Sequence, residues 1–167
     1  MQPSSGAVFV KGENIASLSD YHAAEYRVHT LGYITQNFYL FDALNVTENL
    51  LSATLTERHS FAEAEKRITE ALKWANIAHK AQQNVATLSG GEKQRVIIAR
   101  AIINNPDIIL CDEPTANLDS KNVENFLEIL KTLKAEKKCI IIATHDPIIE
   151  SAECVDRVLE LKEGSFV

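Results

Sequence analysis

Two short runs carry the residues best able to do chemistry, Ser89-Gly90-Gly91-Glu92 and Asp112-Glu113. In the first, a serine followed three positions later by a glutamate is a capping box, which predicts a helix from there to about Asn104. Two glycines in its first turn leave the backbone N–H groups uncovered. A helix start with free N–H groups, a hydroxyl and no bulky side chain is an anion site, and phosphate is the obvious anion. The same four residues also suit an ordinary capped surface helix with a light first turn. In the second, two carboxylates close the apolar run Asp107-Ile108-Ile109-Leu110-Cys111, which reads as a strand buried on both faces of a parallel sheet. Open α/β sheets hold their ligands at the carboxyl ends of such strands.

The elements that must position these runs follow from periodicity and punctuation. Gly6–Val10 with Lys11-Gly12-Glu13-Asn14 reads as strand and turn, and Ile15 as the opening of a return strand. Ser19-Asp20 caps a short helix from Tyr21 towards Val28, and Leu31-Gly32-Tyr33-Ile34-Thr35 is a strand that ends at Gln36. From Thr47 to Ala86 the composition is helical and free of glycine; Ser60 caps a helix opening at Phe61, with Ile68, Leu72 and Ala75 at helical spacing. Trp74 and Ile77 read as core, and His59 and His79 as solvated or packed. After Asp119 an amphipathic helix places Val123, Phe126, Leu127, Leu130 and Leu133 on one face, with Lys131, Lys134, Lys137 and Lys138 crowding its negative end. Cys139-Ile140-Ile141-Ile142-Ala143-Thr144 is a second buried parallel strand, ending at His145, and Asp146-Pro147 suits the N-cap and first residue of a helix.

In this order and spacing the runs resemble the ATP-binding cassette, the nucleotide-hydrolysing domain of ABC transporters. Leu88-Ser89-Gly90-Gly91-Glu92 resembles the family signature and Ile108 to Asp112 its Walker B strand. Glu113 resembles its catalytic glutamate, Asn117-Leu118-Asp119 its D-loop, Gln36 its Q-loop glutamine and His145 its H-loop histidine. Residues 155–167 resemble the hairpin closing many cassettes, and Leu31 to Leu50 with Leu88 to Asp119 look most like the lipoprotein-release and macrolide-export group. The resemblance implies an α/β fold with a P-loop NTPase-like parallel sheet core. It implies one partial ABC ATPase domain over residues 1–167, with a helical subdomain inserted at about 47–88. The implied activity is ATP hydrolysis coupled to transport, with ATP and Mg2+ as cofactors. The implied partners are transmembrane permease subunits and a second cassette docked head to tail, at the cytoplasmic face of the cell membrane.

Phosphoryl transfer needs a metal on the β- and γ-phosphates, a carboxylate for that metal, a group to orient water, and donors for the charge developing on the γ-phosphoryl. On the resemblance, Asp112 and Gln36 serve the magnesium, which dehydrates reluctantly and is met through water. Glu113 polarises the attacking water, which Gln36 also reaches, and His145 steadies the γ-phosphate. Ser89, Gly90, Gly91, Glu92 and Asp119 contact the nucleotide of the opposite subunit.

With 167 residues, 46% hydrophobic and 24% charged, the chain is the size of one soluble domain with a real core. No apolar run reaches membrane-spanning length and the opening residues are polar, so membrane association is expected only through a partner. A formal net charge of −6 argues against a nucleic-acid-wrapping surface, and no nucleic acid is expected. Cys111, Cys139 and Cys154 are too few for a disulfide framework and are expected to be buried thiols. The phosphate-loop pattern G-x-x-x-x-G-K-[ST] does not occur, since none of the 6 glycines precedes Lys and then Ser or Thr. Pro3-Ser4-Ser5-Gly6 resembles the segment just after the P-loop helix, so the chain is expected to begin roughly forty residues into a cassette. Unpaired strand edges are then expected beside Ile108 to Leu110, and alone the chain should bind ATP weakly and hydrolyse almost none. Two other readings stand beside this one. The chain could be a non-hydrolytic partner that lends its LSGGE face to another cassette. It could also be the ATPase head of a DNA-repair or chromosome-maintenance protein, although the long heptad arms expected there do not occur.

Overall fold

The computed structural model describes residues 3, 5–55, 60–116 and 118–167. Local turn chemistry sets both ends of the chain. A hairpin of β1 (Phe9–Val10) and β2 (Glu13–Asn14) turns at Lys11 and Gly12, both left-handed with φ of 54° and 83°. Paired left-handed residues match the twist of the flanking strands. Ile15 does not extend the return strand: the Asn14 side chain accepts from Ala16 N at 3.2 Å and draws Ile15–Ser17 into a 3-10 turn. At the far end β6 (Leu161–Lys162) and β7 (Ser165–Phe166) pair across Glu163 and Gly164, with φ of 48° and 81°.

Between them, side-chain caps start each long helix. Ser19 caps α1 (Asp20–Thr30), which runs directly into β3 (Leu31–Ile34). Asn45 and Glu48 form a complete capping box for α2 (Val46–Thr54), and Ser60 caps α3 (Phe61–Trp74). Ser89 and Glu92 form a second complete box for α4 (Gly90–Ile102), which leads to β4 (Ile108–Asp112). Asp119 caps α5 (Ser120–Ala135), β5 (Cys139–Ala143) follows, and Asp146 with Pro147 starts α6 (Pro147–Glu150).

Strands β3, β4 and β5 form one parallel sheet with β4 in the centre. Ile108 to Leu110 therefore pair on both sides, against the expectation of unpaired edges there, and among the described residues the free edges belong to β3 and β5. Ile34, Ile109 and Cys111 face α4 and α5, packing on Ile97, Ile98, Phe126, Leu130 and Leu133. The opposite face is open among the described residues: Tyr33 is 54% and Ile141 58% exposed, and Cys139 is exposed as well. The expectation of strands buried on both faces, and of Cys139 as a buried thiol, is corrected accordingly. Cys111 alone is fully buried, and burial pushes its thiol pKa up to about 12.

Helix α4 is buried nearly all round and joins two cores. Ile97, Ile98 and Ala101 face the sheet. Val96, Ala99 and Ile103 face Val46, Leu50, Ile68, Leu72, Ile77 and Val85. From Val96 onward α4 presents apolar residues to both cores, and the segment from α2 to Leu88 closes over the face turned away from the sheet. Ile129 joins the buried face of α5 beside the residues expected there, whereas Leu127 is only partly buried.

Candidate functional site

The carboxyl ends of the three parallel strands gather four of the predicted residues. Ile34, Cys111 and Ile142 lie in one register row, so Gln36, Glu113 and Thr144 follow two positions later, just past the ends of adjacent strands. Neighbouring strands stand about 5 Å apart, which brings these chain ends to one edge. Asp112 ends β4 with its side chain exposed. Glu113 leaves the strand in a left-handed conformation, φ 45°, while its N–H donates to Ala143 O at 2.9 Å. A bulky residue held there costs of order 1–3 kcal/mol and persists only when its surroundings determine it.

Two groups determine it here. His145 Nδ1 lies 2.7 Å from Glu113 Oε1, and the Thr144 hydroxyl donates to Glu113 Oε2 at 3.2 Å. The histidine side chain is 85% exposed and the glutamate 24%, so the carboxylate is tucked under a ring that faces outward. The hydrogen bond with Glu113, and its charge, hold the imidazole pKa above the ordinary 6.5. Asp146 stabilises the same turn from behind, accepting from the buried Thr115 hydroxyl at 2.7 Å.

A second group sits at the starts of α4 and α5. The Ser89 hydroxyl accepts from Glu92 N at 3.3 Å, and Glu92 Oε2 accepts from Ser89 N at 2.8 Å. Glu92 Oε1 also pairs with Lys80 at 3.2 Å. The Ser89 N–H bond, helped by Lys80 and outweighing the opposing effect of burial, holds the Glu92 carboxyl below its ordinary range. With both oxygens engaged, Glu92 enters the site as the brace of the helix start. Helix geometry leaves the N–H groups of Gly90 and Gly91 without an intrahelical partner. Asp119 Oδ1 accepts from both the backbone N and the side-chain Nδ2 of Asn122, each at 2.9 Å. That Asn122 amide lies against Gly91, where an added Cβ would meet it at 2.4–2.5 Å. Ser89–Glu92 and Asp119 are thus neighbours. Asn117, read with Asp119, and His59 lie outside the described residues.

Residues with no local sequence signal hold these parts together. Gln94, buried, donates to Pro114 O at 2.9 Å beside Glu113, and Arg95 donates to Ala75 O at 3.1 Å. Arg100 donates to Phe38 O and Tyr39 O, just beyond Gln36. Thr144 reads in the sequence only as the end of a strand. Only the tertiary fold reveals these contacts.

The donor set fits one kind of metal. Among the described residues no three His, Cys, Asp or Glu side chains stand close enough to hold an ion by themselves. Magnesium does not require such a cage, because it keeps waters and shares phosphate oxygens with one or two carboxylates. The exposed Asp112 suits that partial role. No helix among the described residues is long and apolar enough to cross a membrane.

The ABC transporter family model matches residues 1–116. The lipoprotein-releasing system ATP-binding protein LolD of Xylella fastidiosa is 36% identical over 165 residues, covering 98% of this chain and 68% of that protein. The ABC transporter ATP-binding protein YknY of Bacillus subtilis is 36% identical over 166 residues, covering 99% of this chain and 71% of its own length. Among solved structures, the ATP-binding cassette MJ0796, as a dimer in a post-hydrolysis state bound to ADP and Pi, superposes with a TM-score of 0.85 at 36% identity, covering 98% of this chain and 72% of that one. Cassette cbiO1 of Clostridium perfringens, part of the ABC transporter complex cbiONQ, reaches 0.88 at 30% identity over all of this chain and 66% of its own. With the strand-end carboxylates, the capped Ser-Gly-Gly-Glu helix and this match over most of its length, the chain belongs to the ATP-binding family of ABC transporters.

Proposed function

We propose that this chain works as the ATP-binding subunit of an ABC transporter through two edges, one that handles metal and water and one that closes over a second cassette's nucleotide. The observation that carries the reading is the gathering of Gln36, Asp112, Glu113 and His145 at the ends of three adjacent parallel strands, with Glu113 bonded to His145 at 2.7 Å. When bound, magnesium and ATP supply the transferable phosphoryl group and neutralise its oxygens. Asp112 would hold the cation through one of its waters, Gln36 would orient the attacking water, and Glu113 would take up the proton of that water at a carboxylate oxygen. The exposed ring of His145 is placed to donate to the charge that develops. Ser89, Gly90 and Gly91 offer a hydroxyl and two N–H groups to an anion, Glu92 braces them, and Asp119 stands beside them through Asn122. Residues 47–88 serve as the helical unit that carries this second edge.

Members of this family are ATPases. A second cassette and membrane-spanning subunits, met at the cytoplasmic face, are the partners we assign. The dimeric MJ0796 cassette and the membership of cbiO1 in a transporter complex support both. The test mixes this chain with a cassette that bears a phosphate loop but whose own signature serine is replaced by arginine. Added chain should raise ATP turnover, and Ser89→Arg should remove the rise. Equal turnover with and without the unmodified chain overturns the second edge.

A further inference from the structure

Gln94, Arg95 and Arg100 of α4 each donate to a main-chain carbonyl outside the helix, and the last of them ends at the loop that carries Gln36. Arg100 Nη1 donates to Tyr39 O at 2.7 Å and Nη2 to Phe38 O at 3.1 Å, across 61 and 62 residues of sequence. The carbonyls are consecutive, so the guanidinium reads the loop as a fork, a geometry that Lys does not reproduce. Tyr39 is left-handed, φ 44°, and 69% exposed, so its own side chain contributes little packing to hold it there. The next anchor is Asn49 of α2, fully buried, which accepts from Phe41 N at 2.8 Å and donates to Phe41 O at 3.2 Å and Asn45 O at 2.9 Å. On the near side the Thr35 hydroxyl donates to Asn37 O. The segment following Gln36 is therefore fastened from α4 and α2 by side chains rather than by a strand ladder.

We infer that Arg100 is a positioning residue for Gln36: its fork on the Phe38 and Tyr39 carbonyls fixes the Gln36 loop to the helix whose other end is the Ser89–Gly91 start. Gly90 and Arg100 are ten residues apart on one helix, about 15 Å at the usual rise. Because α4 is enclosed between two cores, a displacement at its first turn is carried to its last as a rigid shift. The two proposed edges of the site are thereby joined by one element. The functional half of this statement rests on the assignment of Gln36 above, and the fork itself does not.

Two measurements on the 167-residue chain separate them. In hydrogen–deuterium exchange, Arg100→Gln should speed exchange of the peptide covering 37–44 by tenfold or more, while peptides from β4 and α5 keep their rates. Arg100→Lys should protect only partly. Unchanged exchange at 37–44 in Arg100→Gln, or full protection by the lysine, overturns the fork. The second measurement is broadening of the Gln36 side-chain amide signal by Mn2+-ATP. It should be strong in the unmodified chain and at least halved in Arg100→Gln, with His145 broadened equally in both. Equal broadening of Gln36 in both chains refutes the positioning role. If Gln36 is not broadened even in the unmodified chain, the assignment of Gln36 fails and the positioning of it with it, whereas the fork stands or falls on the exchange result.

Discussion

Gly32→Ala is the substitution whose cost the structure specifies best. Gly32 lies buried in the middle of β3, and an added Cβ would stand 2.5 Å from Ala101 O, 3.0 Å from Pro106 Cγ and 3.2 Å from Ala101 C. Its backbone is not left-handed, so the penalty is purely steric. The nearest atom is main chain of α4 and has no rotamer to change, so β3 and α4 must separate by roughly an ångström to reach ordinary contact. Forcing such overpacking costs about 1–3 kcal/mol. Restricting the unfolded chain returns about 0.4–1 kcal/mol. The net loss is about 1–2 kcal/mol, and a domain of this size loses about 2–4 °C of Tm per kcal/mol, which predicts a fall of roughly 2–8 °C by calorimetry or far-UV circular dichroism. Because the displaced segment of α4 holds Arg100, exchange at 37–44 should rise with it. A Gly32→Ala chain as stable as the original refutes the packing argument, since nothing at that position offers a compensating gain larger than the restricted unfolded chain.

Gly91→Ala meets a side chain instead of backbone. It should destabilise by about 1 kcal/mol by displacing the Asn122 amide from Asp119, and Asn122→Ala in the same chain should turn that loss into a gain; additive effects in the double-mutant cycle contradict the contact. The His145 imidazole should titrate above 6.5 by NMR and return towards it in Glu113→Gln. A folded pKa that is raised means the pair stabilises fully below the unfolded pKa and is lost as pH climbs through the folded value, so Glu113→Gln should narrow the stability difference between acid and neutral pH. An unperturbed titration in the native chain contradicts the bond. Alkylation at pH 8 should label Cys139 quickly and leave Cys111 protected until the chain unfolds, and mass mapping with the reverse order contradicts the open sheet face.

How much of this was legible in the residues depends on the range of the interaction. Ser89 with Glu92, Ser60, Ser19 and Asp146-Pro147 announce their helices because a cap is complete within three or four positions. Strand ends are marked by where apolar runs stop, and in a parallel sheet this puts Asp112 and His145 at the same edge. The order of strands is not local, and the expectation of open edges at β4 failed for that reason. Uniformly apolar runs such as Cys139 to Ala143 carry no alternation, so they do not tell which face lacks a cover. Arg100, Gln94, Asn49 and Thr144 act on groups up to 62 residues away, most of them main-chain carbonyls. A carbonyl is present at every position, and it leaves no mark in the sequence.

On the proposed function, Gln36, Asp112, Glu113 and His145 serve one metal-nucleotide. Titrating the isotope-labelled chain with Mn2+-ATP tests it, because paramagnetic broadening is visible at low occupancy and weak binding suffices. Signals of these four residues should broaden together, ahead of those in α3 and the β6–β7 hairpin, and Asp112→Asn should abolish the effect at all four. Broadening centred elsewhere, or undiminished in Asp112→Asn, rules out a shared metal-nucleotide site at these four residues.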